Sequence, residues 1–83
     1  MQRHSFESVT IETKKVGLYR NITSVEEAAE FLVYDWPIEK GPLQLQARID
    51  CLDAMENALD AEQARASFIA AVKEAGIFVR EGR

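Results

Sequence analysis

The chain reads as an α+β domain: a small three-stranded sheet, in the element order β-β-α-α-α-β, with three helices packed on one face. Three observations predict this. Period-two apolar alternation fills the first twenty-two residues, three segments with helical spacing and their own start signals follow, and a short apolar run closes the chain. Leu, Ile, Val and Phe make up 22 of the 83 residues, enough for a packed core, and a chain of this length holds one domain. The expected division is a flexible terminus over 1–5, the domain over 6–80 and a flexible tail over 81–83.

Val9 and Ile11 alternate with Thr10 and Glu12, and Leu18, Arg20 and Ile22 with Tyr19 and Asn21, the pattern of half-buried strands. Thr13-Lys14-Lys15-Val16-Gly17 between them is the hairpin loop, with Gly17 supplying the positive φ. Thr23 and Ser24 each open an S/T-x-x-E capping box, with Glu26 and Glu27, so the first helix starts there. Val25, Ala28, Ala29, Leu32 and Trp36 form its apolar face. Phe31, Val33 and Tyr34 widen that face, which predicts the most buried helix of the three. Pro37 stops it, because the residue before a proline is driven out of the αR region.

The loop Trp36-Pro37-Ile38-Glu39-Lys40-Gly41-Pro42 leads into the second helix, with Pro42 suited to its first turn. Leu45, Ile49, Leu52, Met55 and Leu59 are the apolar stripe expected to face the core. Asp60 is the expected N-cap of the third helix, with Gln63 at N3 and Ala64, Phe68, Ala71, Val72 and Ala75 on its apolar face. Gly76 fits the αL position of a Schellman cap, with Val72 at C3 and Ile77 at C″. Ile77-Phe78-Val79-Arg80 is the closing strand and should return beside the hairpin, where its backbone groups find partners.

Taken together, Trp36-Pro37, Cys51-Leu52-Asp53-Ala54, Ala64-Arg65, Phe68, Ala71 and Glu74-Ala75-Gly76-Ile77 resemble a family of short bacterial proteins catalogued as domain of unknown function 982. The resemblance covers roughly residues 6–80. It implies a small bacterial protein and brings neither an activity nor a cofactor with it.

Charge argues against one class of partner. A formal charge of −4 lacks the basic footprint that exchanges counterions with phosphate, so no nucleic-acid partner is expected. Residues 1–20 carry +2 and the remainder −6, an asymmetry that suits head-to-tail contact or ordinary solvated charge. No apolar run reaches the ~18–20 residues that span a bilayer, and Met1-Gln2-Arg3-His4-Ser5 lacks a signal-peptide core, so no membrane association is expected. One cysteine forms no internal disulfide, which fits the cytoplasm.

Catalytic constellations are absent from the sequence pattern, so no catalytic residue, metal site or cofactor is expected. His4 precedes the first strand and reads as a mobile surface residue. Cys51 reads as a small buried hydrophobe, because no histidine can pair with it and Asp50 and Asp53 would raise its pKa. Trp36 either walls a ligand pocket or anchors the core. Lys40, Arg48 and Arg65 around it are the candidate ligand-binding cations for a carboxylate or phosphate. The structural alternative pairs Arg65 with Glu62 or Asp53. Tyr19, Thr10 and Glu12 should face away from the helices.

The functional expectation is a non-enzymatic protein-interaction or regulatory module, a homodimer or the companion of an unidentified protein partner. It would associate along an edge strand or through the first-helix surface with Phe31 and Tyr34. The alternative is a binding domain for a small anionic metabolite, built on Trp36, Lys40, Arg48 and Arg65.

Overall fold

The computed structural model describes residues 4–13, 15, 17–37 and 41–81. Its elements follow the expected order: β1 Ser5–Glu12, β2 Tyr19–Ser24, α1 Val25–Tyr34, α2 Pro42–Met55, α3 Ala61–Glu74 and β3 Val79–Glu81. The sheet is antiparallel in the order β2-β1-β3, so the closing strand does return beside the hairpin. Ile11 sits opposite Arg20 on one side and Val79 on the other, a register that turns Val9, Ile11 and Ile22 inward, all fully buried. Gly17 turns the hairpin at φ 80°, and the Thr13 amide closes it on the Leu18 carbonyl at 3.1 Å. Lys14 and Val16 of that loop lie outside the described residues, as does the Ile38–Lys40 stretch of the later loop.

The start of α1 divides the expected capping box between two residues. Ser24 is the N-cap, its hydroxyl accepting from the Glu27 amide at 3.2 Å, while the Glu27 carboxylate reaches one residue further back. It accepts from the Thr23 amide at 2.7 Å and from the Thr23 hydroxyl at 2.9 Å. At its far end the helix stops at Tyr34, with the Asp35 amide bonded to the Phe31 carbonyl ahead of Pro37. Phe31 is the centre of the core. Trp36 meets it edge-on at 5.7 Å between ring centroids and Phe68 of α3 at 6.1 Å. Edge-to-face pairs at these separations are favoured by the ring quadrupoles.

α3 ends in the expected Schellman cap. The Ile77 amide bonds to Val72 O and the Gly76 amide to Lys73 O, both at 3.1 Å, with Gly76 at φ 75°. At the head of the helix Asp60 is the N-cap by backbone position, without a side-chain hydrogen bond to the first turn.

The second helix departs from expectation. α1 and α3 pack on the sheet, whereas α2 rests on α1 and α3 and forms an outer layer. Its buried residues are Gln44, Ala47, Cys51 and Ala54; Leu45, Ile49 and Leu52 of the expected inner stripe face outward, and Met55 and Leu59 are half-buried at its end. The reason is distance: small side chains let a helix settle close against two neighbours at once, and leucines there would hold it off. Of the residues expected to widen the apolar face of α1, Phe31 is buried while Val33 and Tyr34 are exposed.

The head of α2 is tied down by α3. Gly41, at the N-cap, has no side chain to offer, and the Glu74 carboxylate accepts the Leu43 amide at 3.1 Å instead. A Cβ on Gly41 would lie 2.6 Å from that carboxylate oxygen, so a larger residue there would push the Glu74 side chain aside.

Gly76→Ala should destabilise the domain by about 1 kcal/mol, because an L-residue at this φ strains against its own carbonyl. Denaturant titration checks this, and an unchanged midpoint at unchanged slope would mean that the turn between α3 and β3 is not held by the αL residue.

Candidate functional site

The four sequence-nominated ligand residues do not share a site. Trp36 is a core residue set edge-on against Phe31, and its buried Nε1 has no hydrogen-bond partner among the described residues. Arg65 is buried and anchors a strand: its Nε donates to the Glu7 carbonyl at 2.9 Å and Nη1 meets Glu62 at 3.5 Å, the i,i+3 pairing weighed above. Arg48 stands half-exposed on the far side of α2, lining a groove with Ala29, Val33 and Leu52. Lys40 lies outside the described residues. No hydrogen bond, ion pair or ring contact joins Trp36, Arg48 and Arg65 to one another among the described residues.

Arg20 is the cation that sequence reasoning passed over. It shares the inner face of β2 with Ile22, bridges Glu30 and Asp35 at 2.9 Å each and lies 6.0 Å from the Phe31 ring centroid. It also lines a cavity of about 250 Å³ with Thr13, Lys15, Leu18, Phe31 and Asp35. Its period-two position opposite the acidic end of α1 was the available signal. Two carboxylates already hold its guanidinium, which leaves little of it for a ligand.

His4 and Ser5, expected in a flexible terminus, are both engaged: Ser5 opens β1, and His4 closes a corner between three elements. Its amide and Nδ1 bond to the two oxygens of Glu26 at 3.0 and 2.7 Å, Nε2 lies 3.1 Å from Asn57 Oδ1, and its carbonyl accepts the Val25 amide at 2.8 Å. Both ring nitrogens face oxygen acceptors, an arrangement that suits the doubly protonated imidazolium. The hydrogen bonds to Glu26 and then Asn57 raise the His4 pKa against the opposing effect of desolvation. Burial pushes the Glu26 carboxyl up, and the hydrogen bonds from His4 outweigh it, so its net shift is down. At the other end of the chain Glu81, expected in the flexible tail, is part of β3 and pairs with Lys73 at 3.4 Å.

Cys51 is fully buried in the inner face of α2, and burial followed by the charges of Asp50 and Glu26 pushes its thiol up to about 12. A thiol held that high is almost wholly protonated at neutral pH, which removes its nucleophilicity. No group of three or more His, Cys, Asp or Glu side chains converges among the described residues.

The surface has two apolar areas of note. On the outer sheet face Tyr19 and Phe78 meet edge-on at 5.7 Å, flanked by Thr10 and Arg80. On the outer face of α2, Leu45, Ile49 and Leu52 are 55%, 44% and 58% exposed, with Val33 of α1 beside them across the groove that Arg48 lines. The α2 face has the greater number of exposed apolar side chains, all of them aliphatic, so it is the candidate site. The first-helix surface named from sequence is not available in the form expected, because Phe31 is buried and Tyr34 alone stays outside.

A family described as Protein of unknown function (DUF982) matches residues 7–79. The chain belongs to that family. No curated protein and no solved structure matches it. For this DUF982 member, therefore, the candidate site rests on the geometry of the chain itself. No helix among the described residues is long and apolar enough to cross a membrane.

The His4–Glu26 corner predicts a pH window. The His4 contribution to stability is fully present below its ordinary value of 6.5 and is lost as pH rises through the raised folded value. The Glu26 contribution is present above 4.5 and is lost as pH falls through the lowered one. Wild type minus His4→Gln, measured by denaturant titration from pH 4 to pH 9, should be greatest between those values and shrink on the alkaline side. A difference independent of pH would show that the imidazole does not hold the corner as a cation.

Proposed function

We propose that this DUF982 protein is a protein-interaction module, without catalysis of its own, that works through the outer face of α2. One observation carries this reading. The helix buries its alanines and its cysteine and leaves Leu45, Ile49 and Leu52 about half exposed. Burying the half of each such side chain that remains open would stabilise the protein by roughly 0.7–1.5 kcal/mol, and that stabilisation is left unused in the isolated protomer. Contiguous aliphatic patches rimmed by polar residues, here Gln46, Arg48, Asp53 and Glu56, mark surfaces that another protein covers.

The absence of catalysis is supported by what the reactive side chains already do. The single thiol is buried and protonated, and the single imidazole is engaged on both nitrogens. A free, unpaired thiol also suits the cytoplasm, the compartment we assign. The anion-binding alternative has less behind it, since Arg65 is engaged with Glu7 and Glu62 and Arg20 with Glu30 and Asp35.

The test is the double substitution Ile49→Lys with Leu52→Lys, with folding stability measured at sub-micromolar protein. An interaction face should tolerate it within about 0.5 kcal/mol, as surface positions do. A loss of more than about 2 kcal/mol would mean that these side chains serve the protomer's own core, and the interaction reading would fall.

A further inference from the structure

We propose that the occupant of the α2 face is a second copy of the chain, with the two α2 helices running parallel about a two-fold axis. The proposal rests on the interaction reading above and names the partner.

Leu45, Ile49 and Leu52 fall at successive d, a and d positions of a heptad. A β-branched residue at a with leucine at d is the combination that favours two parallel strands. In this phase Arg48 stands at g and Asp53 at e, on opposite flanks of the seam. A parallel pair brings each g residue to the e residue five positions on in its partner, so Arg48 of one protomer meets the partner's Asp53, twice by symmetry. Within the protomer neither side chain has an ion-pair partner among the described residues, so both are available. An antiparallel pair would set g against g and e against e, with Arg48 beside its own copy and Asp53 beside its own. Like charges then face each other across the seam and oppose that arrangement.

Position and area agree with this. α2 is the outer layer of the domain, so it is free to approach an identical helix as a ridge. Val33, Leu45, Ile49 and Leu52 together expose on the order of 350 Å² of apolar surface per protomer, the scale of the largest patch a monomer leaves open. Two such faces with the polar rim of Gln46, Arg48, Asp53 and Glu56 reach roughly 1,000 Å², the lower bound for a specific interface. The seam is short: Pro42 and Glu56 occupy the flanking a positions and end it. Association should therefore be modest, with half-dissociation at roughly 10–100 µM.

Sedimentation equilibrium over a hundredfold concentration range tests the pairing, with folding of each variant confirmed by circular dichroism and its denaturant midpoint. Wild type should approach the dimer mass at the upper end. Arg48→Asp and, separately, Asp53→Arg should each weaken association about tenfold, and the charge-swapped double variant should recover most of it. A monomeric mass throughout for wild type would overturn the pairing and leave the face to a different protein, the interaction reading itself being decided by the stability test above. Single substitutions without effect, or a double variant no tighter than the singles, would overturn the parallel arrangement.

Discussion

Helix α2 has to lie against α1 and α3 at once, and the side chains it turns toward them decide whether it can. Ala47, Cys51 and Ala54 are fully buried there, with Gln44 as the one long residue, its amide nitrogen donating to the Leu32 carbonyl at 2.8 Å. Small residues let the helix axes approach, and close approach is what gives a short chain dense packing between helices. The consequence runs outward. With the inner face given to small residues, the large aliphatic ones of the same helix are left outside, where a lone protomer gains little from them.

Polar ties then fix how the helical layers sit on the sheet. Arg65 of α3 reaches the β1 backbone at Glu7, His4 joins the start of β1 to Glu26 of α1 and to Asn57 after α2, and Glu74 of α3 holds the first turn of α2. Each joins segments distant in sequence, and each uses a charged group, which strengthens its hydrogen bonds relative to neutral ones. None carries the fold alone; together they orient layers that the apolar core of Val9, Ile11, Ile22, Phe31, Phe68 and Val72 holds together.

Much of this was legible in the residues. The Schellman cap at Gly76, the capping of α1 and the hairpin at Gly17 follow from local chemistry, which is readable, and the return of the last strand follows from the need of its backbone groups for partners. The orientation of α2 was not, because its hydropathy pattern points to the Leu45–Ile49–Leu52 face while size decides which face can pack. The candidate site was missed for the same reason: the stripe was read as core. Arg65 was readable as an i,i+3 partner of Glu62, but its bond to Glu7 O spans most of the chain and leaves no local signal. His4 was misjudged because its anchors, Glu26 and Asn57, come near only after folding.

The same helix is packed by its small face and, in the proposed assembly, recognised by its large one. Methyl-selective NMR across a concentration series addresses it most directly. The account predicts that the methyl signals of Leu45, Ile49, Leu52 and Val33 move with concentration while those of Ile11, Ile22 and Leu32 stay fixed, since the former are exposed in the protomer and the latter are buried. Movement of the buried set, or no movement at the α2 face up to millimolar protein, would contradict it.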